Sequence, residues 1–148
     1  MIEHIKKSHN KTLLLYHVVC PVRFRAEVLT EDVSKTLKEV CVEISSRYEM
    51  EFIEIGADKD HVHFLIQSIP SQSVTNIVKI VKSIIAREVF LRHPEVKKEL
   101  WGAKFWTSGY YANTVSEYKN AEAVKRYVKE QGNEYKQLYR GQLSFNLG

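Results

Sequence analysis

Two imidazoles stand two residues apart in Asp60-His61-Val62-His63-Phe64-Leu65-Ile66. Along an extended strand, side chains alternate between faces. His61, His63 and Leu65 therefore share one face, and Val62, Phe64 and Ile66 share the other. Two imidazoles side by side on a rigid strand can converge on one divalent cation. The same spacing also suits two polar residues on a wetted surface, and the pattern alone does not choose between these. A second group lies far along the chain. Tyr127 and Gln131, four residues apart, are neighbours on one side of a helix. Taken alone they read as an amphipathic tyrosine and a surface amide. Beside the histidines they complete a chemistry. Two imidazole nitrogens and an amide oxygen can hold a divalent ion and leave positions where a phosphate oxygen is polarised. A phenol, with a pKa of about 10, suits the role of nucleophile. The phosphotyrosine it forms keeps the energy of the broken phosphodiester, so a 3′-hydroxyl can later attack it and rejoin the strand.

The elements that must position these groups follow from hydrophobic period. Leu13 to Cys20 reads as a central strand ended by Pro21, with Arg23 and Arg25 at alternate positions beyond it as candidates for phosphate contact. Thr30 can cap a helix, with Glu31 and Asp32 in its first turn and Val33, Leu37, Val40, Cys41, Ile44 and Tyr48 as its apolar stripe. Phe52 to Ile55 is a second strand, closed at Gly56. The turn from Ala57 to Asp60 joins it to the histidine strand as a hairpin. Ser73 can cap a second helix, buried through Val74, Ile77, Val78, Val81, Ile84, Ile85 and Val89. Its Lys79, Lys82 and Arg87 are either a solvated face or contacts for a nucleic-acid backbone. Glu88 falls on the apolar stripe and Phe90 off it, against the period. Pro94 stops this helix, and a short charged segment leads to an aromatic stretch, Leu100 to Val115, whose second half reads as a strand. Its aromatics near Lys104 suit base stacking but more often are core. A last helix is expected from about Asn120 to Gln131, carrying Ala121, Val124 and Val128, and Gly132-Asn133 ends it.

This order, strand-helix-strand-strand-helix-strand plus a C-terminal helix, predicts an α+β fold of the ferredoxin-like, RRM-like βαββαβ type. Two helices cover one sheet face, and the other, bearing His61 and His63, is left free. The 148 residues suit one domain, 1–148, with a core over 11–135 and a polar tail over 136–148. A net charge of +4 favours a polyanionic partner only weakly. Cys20 and Cys41 form no CxxC pair and sit in apolar patterns, as reduced core residues of a cytosolic protein do. No signal-peptide region or membrane span is apparent.

The chain resembles the single-tyrosine HUH transposases of bacterial insertion sequences that move as single-stranded DNA. The resemblance runs from about Leu13 to Tyr135. It rests on Tyr16-His17-Val18-Val19 with Arg23-Phe24-Arg25, on Asp60-His61-Val62-His63-Phe64-Leu65-Ile66, and on Ile80-Val81-Lys82-Ser83. It rests further on Leu100-Trp101-Gly102 with Phe105-Trp106, on Gly109-Tyr110-Tyr111, and on Tyr127-Val128-x-x-Gln131. It implies cleavage of single-stranded DNA at element ends through a 5′-phosphotyrosine, with Tyr127 as nucleophile. It also implies a Mg2+ or Mn2+ ion on His61, His63 and Gln131, recognition of DNA hairpins, and a homodimer with composite active sites. The setting it implies is bacterial or archaeal cytoplasm, at the nucleoid. One departure is Val22, where many relatives carry a lysine. The rival readings are a domesticated relative acting on repetitive palindromic DNA, a replication-initiator or relaxase nickase of the same superfamily, and a non-catalytic single-strand-binding module. The last would bind DNA without regard to metal or Tyr127.

Overall fold

The computed structural model describes residues 14–69, 71–115 and 136–140. Strand β1 (Leu14–Pro21) is followed by a tight turn at Arg23–Arg25 and helix α1 (Glu31–Arg47). Strands β2 (Met50–Ala57) and β3 (His61–Ser68) form the expected hairpin. Helices α2 (Val74–Arg92) and α3 (Pro94–Glu99) precede β4 (Tyr111–Thr114) and β5 (Lys136–Arg140). The five strands lie in the order β4-β1-β3-β2-β5 and every pairing is antiparallel. The first four, with α1 and α2, make the predicted ferredoxin-like α+β arrangement, with β1, as expected, and β3 as its two central strands.

Local chemistry starts both long helices where the sequence places them. The Thr30 hydroxyl accepts the Val33 N–H at 3.3 Å and the Ser73 hydroxyl accepts the Asn76 N–H at 3.0 Å, each satisfying an amide that has no partner within its own helix. The apolar stripes then drive packing. Val33, Leu37, Val40, Cys41 and Ile44 of α1 and Ile77, Val78, Val81, Ile85 and Val89 of α2 join Val18, Cys20, Phe52, Ile55, Val62, Phe64 and Ile66 of the sheet in one core. Phe105 and Trp106 close that core. Phe105 meets Phe90 and Trp106 edge-on, at 5.8 and 4.6 Å between centroids, which accounts for Phe90 lying off the helix stripe. Glu88 turns aside to ion pairs with Arg87 and Arg92. Cys20 and Cys41 are buried free thiols, and burial pushes Cys20 up to about 12 and Cys41 well above the ordinary thiol range.

Four expectations change. Pro94 does not merely end a helix; it occupies the first turn of α3, where its missing N–H costs nothing. Arg23 and Arg25 do not continue a strand: Phe24 and Arg25 take left-handed backbone, φ 60 and 52. The segment after residue 135 is not simply a polar tail, because Lys136–Arg140 pairs with β2 as an edge strand. Edge pairing uses backbone groups, so Lys-Gln-Leu-Tyr-Arg needs no alternating pattern to form it. Finally, the sheet face opposite the helices is not free throughout. Leu15, His17, Glu54, Leu65 and Gln67 are buried on it, while His61 and His63 at one end are half-exposed and Tyr111 and Asn113 of β4 are exposed. A bulge between Phe52 and Glu54 turns Glu54 onto this face, where its carboxylate accepts the Gln137 side-chain N–H at 2.9 Å. The expected helix over 120–131 lies outside the described residues.

Candidate functional site

The site grows from register. Pro21 pairs with His61, Val19 with His63 and His17 with Leu65, so His17, His61 and His63 all project from one face of the sheet. Their rings gather there: His61 and His63 have centroids 5.0 Å apart, and His17 stacks on His63 at 5.4 Å with 23° between planes. The strands that hold them are central, and the opposite side chains, Val62 and Phe64, are fully buried in the core. The imidazoles therefore stand on a rigid base.

Hydrogen bonds fix the rings further. Asp60 Oδ1 lies 2.7 Å from His61 Nδ1. The His61 bond, followed by the Arg25 guanidinium, holds the Asp60 carboxyl below its usual range, so it is an ionised acceptor. His61 Nδ1 must then carry the proton, and in the neutral ring the lone pair falls on Nε2. His63 Nδ1 lies 3.3 Å from His17 Nε2. Desolvation, and then the neighbouring His17 and His61, lowers the His63 pKa to about 4, so His63 is neutral at physiological pH. Two imidazoles side by side, one keyed by a carboxylate and one by another imidazole, have the chemistry of a metal-ligating pair and its outer shell. Among the described residues no group of three or more His, Cys, Asp or Glu is placed to hold a metal ion. A site built here needs a donor from elsewhere, such as the amide proposed from the sequence.

Sequence reasoning singled out His61 and His63 and found their shared face. It noted His17 only as part of a motif, because nothing in Tyr16-His17-Val18-Val19 shows which neighbour strand it meets. Tyr127 and Gln131 lie outside the described residues, so the structure does not place them relative to the histidines. Arg25 is drawn to the site through its salt bridge to Asp60 (3.0 Å), and Arg23 lies over the Phe24 ring at 5.4 Å. Val22 is wholly buried, bridged to Trp106, and its N–H donates to the Asp60 carbonyl at 2.8 Å, so it packs and offers no charge.

The basic residues of α2 sit apart, in the helical layer on the far side of the sheet. Lys79 and Arg87 are exposed there. Lys82 instead donates to the carbonyls of Thr107 (2.9 Å) and Gly109 (3.3 Å) and lies over the Tyr110 ring, tying the approach to β4 onto the helix. No helix among the described residues is long and apolar enough to cross a membrane.

Residues 10–131 match the family model described as IS200-like transposase. The chain is 34% identical over 118 residues to the ISDra2 transposase TnpA of Deinococcus radiodurans, covering 80% of this chain and 84% of that protein. It is 22% identical over 124 residues to the transposase for insertion sequence element IS200 of Salmonella typhimurium, covering 84% and 80% respectively. Its fold is similar to the crystal structure of a candidate transposase from Deinococcus radiodurans R1, with a TM-score of 0.68, 28% identity, and coverage of 83% of this chain and 94% of that one. It is also similar in fold to a REP-associated tyrosine transposase bound to a REP hairpin, with a TM-score of 0.51, 13% identity, and coverage of 78% and 62%.

Proposed function

The chain belongs to the IS200-like transposase family, and on that footing we propose that it cleaves and rejoins single-stranded DNA at the ends of an insertion sequence through a 5′-phosphotyrosine on Tyr127. It binds hairpins at those ends and works as a homodimer with composite active sites. Mg2+ or Mn2+ would be held by His61, His63 and Gln131. The observation that carries the reading is the histidine pair: two imidazoles on one sheet face, each with its Nδ1 engaged, at 2.7 Å by Asp60 and at 3.3 Å by His17.

A divalent ion at this site would act as a Lewis acid on the scissile phosphate. The chain's own groups do the rest. His61 presents Nε2 because Asp60 holds the Nδ1 proton. His63 Nδ1 lies 3.3 Å from His17 Nε2, and in the tautomer where His63 is the donor of that bond its lone pair is on Nε2. The Tyr127 oxygen attacks the phosphorus, the P–O3′ bond breaks, and the leaving 3′-oxygen takes up a proton. A 3′-hydroxyl attacking the phosphotyrosine reverses the exchange on a new strand and returns the phenol. No nucleotide cofactor is consumed, since one phosphodiester bond is traded for another.

The test mixes end-labelled single strands from both flanks of the gene with protein in manganese or in EDTA, using wild type and Tyr127→Phe, on a denaturing gel. A slow covalent band that needs both manganese and the Tyr127 hydroxyl is expected. An equal band from Tyr127→Phe removes that residue from its role. Tight binding with no band under any condition returns the chain to a binding module.

A further inference from the structure

We infer that two exposed aromatic side chains flanking the histidines, Tyr111 and Phe24, are stacking platforms that hold the bases on either side of the reacting phosphate. The inference deepens the proposed function and rests on its reading of single-stranded DNA as substrate.

Tyr111 comes first by register. It pairs with Val19, and Val19 pairs with His63, so the three lie in one row across β4, β1 and β3 and share a face. Strands in a sheet are spaced by about 4.8 Å, which puts Tyr111 about 10 Å from His63 along that row. That is a span of one to two nucleotides in an extended strand. The next residue, Ala112, turns to the opposite face and packs on the core, as strand alternation requires. Tyr111 is nevertheless 58% exposed. Among the described residues its ring joins no core cluster, and an exposed aromatic on a sheet face is the surface on which sheet-based domains stack single-stranded bases.

Phe24 follows the end of β1, where Pro21 pairs with His61. The turn that carries it is pinned next to the histidine strand. The Val22 N–H donates to the Asp60 carbonyl at 2.8 Å, the Arg23 N–H to the Phe105 carbonyl at 2.8 Å, and the Arg25 guanidinium binds the Asp60 carboxylate. Within this clamp Phe24 takes φ 60 and its ring is 64% exposed. Left-handed backbone is unfavourable for a residue with a bulky side chain, and it persists only where the surroundings impose it. Here the strain lifts a phenyl ring into water, with Arg23 over the ring at 5.4 Å. Arginine beside an aromatic ring is the pairing that receives a base together with its phosphate. Arg25, keyed to Asp60 and thence to His61, ties this platform to the catalytic end of β3.

Tyr111 stands two strands across from His63, and Phe24 follows the end of β1 that pairs with His61; base stacking on both rings tolerates any sequence, because every base has a π face. They would hold the strand at the reacting phosphate whichever bases lie there, leaving sequence choice to contacts elsewhere.

The test measures binding of fluorescein-labelled dT20, and of a 20-mer with the same phosphates but abasic sites throughout, at low ionic strength in EDTA. The proteins are wild type, Tyr111→Leu, Phe24→Leu, Tyr111→Phe and Phe24→Trp. Leucine keeps apolar bulk without a π face, and the aromatic replacements restore one. Wild type is expected to prefer dT20 by about tenfold or more. Each leucine variant should lose most of that preference with abasic binding unchanged, and the aromatic variants should keep it. Equal binding of the two probes by wild type overturns the inference. So does a loss in the leucine variants that is the same on both probes, or failure of the aromatic variants to rescue. The assay contains no metal and asks nothing of Tyr127, so a missing covalent band in the cleavage test and a missing base preference here are separate results.

Discussion

At the residue scale the site depends on which nitrogen of each histidine holds a proton. Asp60 fixes the answer for His61, because an ionised carboxylate can only accept. His17 does the same for His63 when His63 donates to it. Outer partners of ligating histidines typically contribute about ten- to a hundredfold in metal affinity. Asp60→Ala and His17→Phe are therefore each expected to weaken Mn2+ binding by about that factor, read by electron paramagnetic resonance titration, with the melting temperature little changed for Asp60→Ala. Manganese affinity equal to wild type in both variants would show that the rings are oriented by other means. Arg25 is a weaker contributor: its salt bridge to Asp60 is more than half exposed on the arginine side, where ion pairs contribute little.

Elements fix the site through the core behind it. Val62 and Phe64 anchor β3 from below, and Phe105 closes the gap between α2 and the sheet, touching Phe90 and Trp106. Trp106 donates its indole N–H to the Lys82 carbonyl while the Lys82 ammonium holds the Thr107 and Gly109 carbonyls, so α2 and the lead-in to β4 are laced together at one residue. Phe105→Ala should cost about 3–5 kcal/mol in urea unfolding, the usual range for emptying a fully buried phenyl site. A loss below about 1 kcal/mol would mean the surrounding aromatics collapse into the space. The period of α1 and α2 and their capping hydroxyls were readable in advance. The strand Lys136–Arg140 was not, because an edge strand is specified by the backbone of its neighbour.

For the whole molecule, the two-layer arrangement separates functions that the sequence lists side by side. The histidine end of the sheet faces one way and the exposed Lys79 and Arg87 of α2 lie in the layer on the other side. If those cations contact the DNA backbone, they do so away from the reacting phosphate. Replacing both with glutamine should then weaken binding of a hairpin-bearing strand and reduce its salt slope by about 0.7–0.9 per contact removed, without abolishing the covalent adduct. An unchanged slope would leave them as a solvated face. Lys82 is already engaged with backbone carbonyls and serves the fold.

What the sequence determined by itself was whatever local periodicity encodes. Alternation put His61 and His63 on one face and Val62, Phe64 and Ile66 on the other. Helical spacing gave both long helices, and their order gave the βαββαβ plan. The motif set along the chain pointed to the family that the comparisons establish. Only the tertiary structure decided which strands are neighbours, and hence that His17 meets His63 and that Tyr111 lies in line with it. It also decided that Phe24 is held in a left-handed turn beside Asp60. The physical reason is that register and turn geometry arise from pairing between segments distant in sequence. A side chain's distant neighbours are set by that pairing, not by the residues beside it in the chain.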